Sequence, residues 1–243
     1  INGPGEVIEY AVKMKQLDPN STMSDLLKEN KITTEHISAL AAKIFSFHQK
    51  ALADEEISSF GSLKIIQFNW DENFQQTEKY KQLIILPEYF DFIQKKVNNF
   101  IKQNQALFEK RVTSGKIKHC HGDFHSANVF ITSAGPLIFD GIVFNQRFPC
   151  SDVIAEIAFM AMDLDFHGKE KSAQLFIEEY RKLSGDEDIS KLLDFYKCYR
   201  AYIRGKISCF TTDDANLTAE EREKTITDAK KYFQLAKNYA GLL

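Results

Sequence analysis

Glycine and proline are scarce in these 243 residues, 11 and 5 respectively, so neither a collagen-like repeat nor a disordered low-complexity chain fits. No uninterrupted apolar run reaches the roughly 20 residues that a membrane-spanning helix needs. Charge of either sign is not in excess: a net charge of −3 supplies no basic field of the kind that dominates nucleic-acid binding. The four cysteines, Cys120, Cys150, Cys198 and Cys209, lie far apart and form no C-x-x-C pair. That spacing argues against a disulfide framework or a zinc site and for reduced thiols in a cytosol. No signal-peptide pattern occurs, and a cytoplasmic location is expected. Ile1 opens the chain without a methionine, and the first residues read as the interior of a longer protein.

What is present suits a folded domain: 44% hydrophobic and 27% charged residues, with enough length for a sizeable core. Twenty phenylalanines point to helices packed through bulky aromatic contacts. Residues 6–14 alternate as a strand, and Leu17-Asp18-Pro19-Asn20-Ser21 breaks it with turn chemistry. From Thr22 the pattern turns helical. Thr33 is a candidate N-cap with Ile32 and Ile37 at staple positions. A short helix is expected over 70–81, and a long one from Pro87 to about Val112. Between Gly115 and Gly141 the period changes. Ile117–Cys120 reads as a small strand, and Val129–Ile131 with Leu137–Phe139 as a hairpin about the Ser133–Pro136 turn. Helices resume at about 151–164, 169–182, 188–209 and 218–240, the last with a capping box at Thr218.

The β-rich stretch carries the chemistry. It reads His121-Gly122-Asp123-Phe124-His125-Ser126-Ala127-Asn128 and then, twelve residues on, Asp140 in Ile138-Phe139-Asp140-Gly141. Phosphoryl transfer needs one carboxylate to orient or deprotonate the attacking hydroxyl, and oxygen ligands to hold magnesium against the phosphates. Asp123 and Asn128 stand on one loop, and the hairpin should return Asp140 to Asn128. Order and spacing match the kinase pattern H-R-D-x-x-x-x-N followed by D-F-G, with Gly122 in place of the arginine.

HGDFHSANVF…PLIFDGI resembles the H-G-D-x-H-x-x-N and following Asp motif of the aminoglycoside phosphotransferase and choline kinase-like family. Similarity to a bacterial branch of that family extends over much of residues 6–240, through EYAVKM, NWDENF, FNQRF and FYKCYRAYIRGK. Some members of that branch carry an additional P-loop domain, but no G-x-x-x-x-G-K-[ST] occurs here. The resemblance implies an α+β, mostly helical fold, the C-terminal lobe of a protein kinase-like protein. Residues 1–20 would be the last N-lobe strand and hinge, and 21–243 the helical lobe with its catalytic loop within 119–141. It implies ATP and Mg2+ as cofactors and a small-molecule hydroxyl acceptor, with neither nucleic acid nor membrane as partner. Asp123 and His125 would be catalytic. Asn128 and Asp140 would hold magnesium, and His121 would brace the loop on the nucleotide side. His125, two after the Asp, would stand near the γ-phosphate and donate a hydrogen bond there. Asp152 would sit at the start of its helix and hold the loop.

Other readings stay open at this level. Lys13 is either the phosphate-gripping lysine or part of the strand leading to the hinge, with the glycine-rich loop, the lysine and its glutamate partner then upstream of Ile1. His121 and His125 with nearby aspartates also suit a metal hydrolase, though no third ligand has zinc-like spacing. Glu156, Asp163 and Asp165 either meet a cationic acceptor or are solvated. Arg200, Arg204 and Lys206, if they face the cleft, favour an acidic or phosphorylated substrate. A non-catalytic nucleotide-binding module and a protein kinase are the rival functions. Against the second, only ten residues separate Asp140 from Ser151 and no A-P-E follows.

Overall fold

The computed structural model describes residues 9–10 and 16–243. The strand expected over 6–14, and Lys13 with it, lies outside the described residues except for Glu9 and Tyr10, which join no regular element. Among the described residues the chain is α+β and mostly helical. A 3-10 turn over Pro19–Ser21 leads into α1 (Met23–Lys28), α2 (Thr34–Lys50), α3 (Glu55–Ser59), α4 (Leu63–Thr77), α5 (Pro87–Gln103) and α6 (Gln105–Thr113). Four short strands follow, β1 (Ile117–His119), β2 (Val129–Thr132), β3 (Gly135–Ile138) and β4 (Cys150–Asp152). Then come α7 (Val153–Phe166), α8 (Glu170–Ser184), α9 (Ile189–Thr212) and α10 (Ala219–Ala240).

Local chemistry accounts for most boundaries. Thr33 caps α2, and the reciprocal bond comes from the His36 ring, whose Nδ1 accepts the Thr33 N–H at 3.2 Å. Asn104 splits the helix expected from Pro87 to Val112. Its side chain donates to the Phe100 carbonyl at 2.9 Å, which ends α5 by local competition and starts α6. The helix expected over 70–81 begins earlier, at Leu63, and closes in a 3-10 turn at Glu78–Tyr80. Residues 150–152 are strand rather than the start of a helix. β4 pairs antiparallel with β1, Ile117 opposite Asp152. β2 and β3 form the expected hairpin, Val129 opposite Ile138.

Helix α7 is the axis of the core. Every residue from Val153 to Leu164 is buried, the mark of a helix enclosed on all sides. It packs against α8 and α9, α9 packs against α10, and α2 lies on α8. The phenylalanines and tyrosines interlock as their number suggested. Trp70 stacks on Phe74 at 5.4 Å and meets Phe195, Tyr199 and Tyr202 edge-on. Gly205 lets α9 approach α10: a Cβ there would stand 2.9 Å from the Phe233 ring.

Candidate active site

An apolar helix carrying two carboxylates must find partners for them, because an unpaired buried charge costs several kcal/mol. Glu156 and Asp163 are those carboxylates, 0% and 3% exposed. Seven residues apart, they share one face of α7, about 10 Å from each other along its axis. Both turn to the same neighbour, the loop that follows β1. Glu156 accepts the backbone N–H of His121 at 3.0 Å and of Gly122 at 2.7 Å. Asp163 accepts the N–H of Ser126 at 2.9 Å. Between them Phe159 packs against the His125 ring, centroids 5.2 Å apart. The loop from 121 to 126 is thus laid along α7 and tied at both ends.

Further bonds hold the loop from behind. Glu156 also accepts from His48 Nε2 at 2.9 Å, and His48 Nδ1 hydrogen-bonds the Tyr180 hydroxyl at 2.7 Å, which links α2, α7 and α8. Burial pushes the Glu156 carboxyl up, but the bonds from His48, His121 and Gly122 outweigh it and hold the group below its ordinary 4.5. Arg200 donates to the Gly122 carbonyl at 3.1 Å and the Ala155 carbonyl at 3.0 Å, its guanidinium over Phe159. Gly122 serves Glu156 through its N–H and Arg200 through its carbonyl at φ +86°, in the left-handed region open to glycine. His48, Cys120 and Glu156 cluster closely enough to resemble a metal site. Both imidazole nitrogens and both Glu156 oxygens are already hydrogen-bonded, and burial holds the Cys120 thiol well above its ordinary value. The cluster is a brace.

On the outer side of the loop the expected residues meet. The Asn128 amide donates to Asp123 Oδ2 at 2.8 Å and to the Asp123 carbonyl at 3.0 Å. His125 Nε2 stands 3.3 Å from Asp123 Oδ2, while its Nδ1 accepts from Ala127 N–H. That second bond assigns the proton to Nε2, so the ring donates to Asp123. Burial pushes the Asp123 carboxyl up. The hydrogen bond from His125, with the charges of Arg204 and Arg200, overrides it and brings the group to about 2. The hairpin then closes as expected: Phe139 N–H donates to the Asn128 carbonyl at 3.1 Å. His121 Nε2 donates to the Phe139 carbonyl at 2.8 Å, and Ile142 N–H to the His121 carbonyl at 3.0 Å. His121 therefore ties the loop to the segment bearing Asp140. Asp140 itself is exposed, at φ +62°. Its carboxylate and the Asn128 amide oxygen are hard donors on adjoining backbone, a set that suits Mg2+.

Asp152 caps α7, accepting the Ile154 N–H at 2.9 Å, but it does not hold the loop. Instead it pairs bidentately with Arg111 at 2.7 and 2.8 Å, and Arg111 reaches on to Asp186. Glu156 and Asp163 neither face a ligand nor are solvated, as described above. Asp165 pairs with Lys197 at 2.6 Å and accepts from the Tyr239 hydroxyl. The brace on α7 was the part that sequence reasoning missed. Its signal was there: two acids at i, i+7 within VIAEIAFMAMDL, where charge is otherwise absent.

A cavity of about 380 Å3 opens beside Asp123, between α4, α9 and the segment 142–151. Asp123 lines it together with Asn73 and Glu72 of α4 and Arg204 and Lys206 of α9. Its volume lies within the range of sites for small molecules.

No family model matches the chain, and no solved structure matches it. Among curated proteins it is similar to the uncharacterized protein Rv2004c of Mycobacterium tuberculosis (strain H37Rv), 26% identical over 201 residues. The uncharacterized protein Mb2027c of Mycobacterium bovis matches to the same extent, over 83% of this chain. The chain spans 40% of the length of these relatives.

Proposed function

We propose that this chain is the helical lobe of an ATP-dependent phosphotransferase of the aminoglycoside phosphotransferase and choline kinase-like type, which moves the γ-phosphate to a hydroxyl of a small molecule. The observation that carries the reading is the convergence of His125 and Asn128 on Asp123, which lines the cavity, with the hairpin returning Phe139 to Asn128 beside Asp140.

Each residue has a role it can perform as it stands. Asp123, ionised and held by Asn128 and His125, accepts a hydrogen bond from the acceptor hydroxyl and aims its oxygen. A carboxylate at about 2 is a feeble base at neutral pH. It therefore orients the hydroxyl in the ground state and takes its proton only as the bond to phosphorus forms, in keeping with a loose transition state. Asn128 and Asp140 would hold Mg2+, which when bound neutralises charge on the β- and γ-phosphates. His125 keeps Asp123 ionised by donating to it. A cavity of this size beside Asp123 favours a small molecule over a protein segment as the acceptor.

Calorimetric titration with Mg-ATP tests the reading, with Asp140→Asn as control. Binding that the control loses is the expected result. Equal binding to both proteins would remove Asp140 from the metal site, and absence of binding to a chain extended to the relatives' full length would remove the function.

A further inference from the structure

Four cations line the cavity beside Asp123: Arg147, Arg200, Arg204 and Lys206. Three carboxylates line it with them, Glu72, Asp123 and Asp152. Two of these are already engaged. Asp152 is paired with Arg111, and Glu72 with Arg147 at 2.8 Å. Among the described residues, none of Arg200, Arg204 and Lys206 has a carboxylate within salt-bridge distance. Arg200 spends its donors on backbone carbonyls, and Arg204 lies over the Tyr232 ring at 5.6 Å. Lys206 Nζ is held by neutral amide oxygens, Asn73 Oδ1 at 2.6 Å and Gln76 Oε1 at 2.8 Å.

These cations sit against an aromatic lining that includes Trp70, Tyr199 and Phe148. Carboxylates act on them only from beyond contact distance, Asp163 and Asp123 on Arg204 and Glu72 on Lys206, and a ligand's anion can complete that partial compensation. Burial holds the Lys206 ammonium below its ordinary pKa. Asp123 answers part of the charge of Arg200 and Arg204, but in the proposed reaction it faces the acceptor hydroxyl. Lys206 and Asn73 both line the cavity, and the Lys206 ammonium is pinned by two amides from α4 rather than by a carboxylate.

We infer that the acceptor is an acidic hydroxy compound: a small molecule with an apolar, aromatic-sized body whose carboxylate or other anionic group is received by Lys206 while its hydroxyl meets Asp123. This rests on the phosphotransferase reading above and gives its substrate class. It excludes the cationic amino-alcohols and aminosugars that an acidic pocket would take.

Three probes of one shape and different charge test it: 3-phenyllactate (anionic), 3-phenylpropane-1,2-diol (neutral) and phenylalaninol (cationic). Their dissociation constants are measured by ligand-observed NMR on the chain extended to the relatives' full length, with Mg-ATP binding measured on the same samples. The expected order is phenyllactate tightest and phenylalaninol weakest, separated by at least about tenfold, the scale of one charge-assisted contact in a desolvated site. Lys206→Met should weaken phenyllactate and leave the diol unchanged. Lys206→Gln, which can keep a hydrogen bond to Asn73, should do the same if the charge is what matters. Equal or tighter binding of phenylalaninol, or no binding of any probe, overturns the inference, and intact Mg-ATP binding then leaves the phosphotransferase reading standing. Phenyllactate preference without Mg-ATP binding overturns the assignment of the anion as an acceptor and, with it, the phosphotransferase reading.

Discussion

The inner and outer faces of the candidate site are built in opposite ways. On the inner face, the loop from His121 to Ser126 lies on α7, and its N–H groups meet the buried carboxylates of Glu156 and Asp163. On the outer face, Asp140 is exposed, and the segment beyond it presents Val143 and Phe144 to solvent, 93% and 81% exposed. The contrast follows the demands of the proposed chemistry. Aiming a hydroxyl requires Asp123 to be held to a few tenths of an ångström, and buried charge-assisted bonds do that. A site for a hydrated cation and a polyphosphate needs the opposite, carboxylate oxygen turned to water. Rigidity on one side and access on the other meet at Asn128, which bonds to Asp123 through its side chain and to Phe139 through its carbonyl.

The largest effect expected from breaking this comparison is kinetic. Asp123→Asn should lower phosphoryl transfer by about 100- to 10,000-fold, the usual contribution of a positioned acid–base group, with melting temperature little changed. Unaltered turnover would take Asp123 out of the reaction. On the inner face the effect falls on stability. Glu156→Ala leaves His48 and two loop N–H groups without an acceptor in the core, and should cost about 3–5 kcal/mol in denaturant unfolding. A loss under about 1 kcal/mol would mean that α7 does not hold the loop.

Gly122→Ala should be milder, about 1–3 kcal/mol, because a side chain at φ +86° is strained and its Cβ would stand 3.2 Å from the Pro149 backbone. On the outer face Asp140→Asn should abolish Mg-ATP binding while stability moves by less than about 0.5 kcal/mol, as for exposed positions in general. The pH response separates the faces most finely. Glu156 is held below its ordinary 4.5, so its contribution is fully present above that value and fades as pH falls through its lowered folded pKa. Wild-type stability should therefore decline with acidification below about 4.5, and Glu156→Gln should flatten that decline. An unchanged slope in the variant would show that other carboxylates set it.

Much of this arrangement was legible along the chain. The helices announce themselves through 3.6-residue periodicity, as in Ile93, Val97 and Ile101 of α5, all buried on one face. The hairpin follows from the Ser133–Pro136 turn, and with it the return to Asn128, because a hairpin's register is decided by its own turn. Where local competition was subtle the boundaries shifted, as at Asn104 and at β4. A three-residue strand is decided by its partner, here β1, 31 residues earlier at the His119–Cys150 pair.

The sequence by itself determined the helices, the hairpin and the polar loop of His121, Asp123, His125 and Asn128, since those depend on neighbours a few positions apart. Only the tertiary structure decided what Glu156, Asp163, Arg200 and Lys206 do. Glu156 meets Gly122 across 34 residues and His48 across 108, and Lys206 meets Asn73 across 133. Whether a charged side chain braces a loop, pairs with another or waits in a cavity depends on what packing brings against it, and along the chain all three look alike.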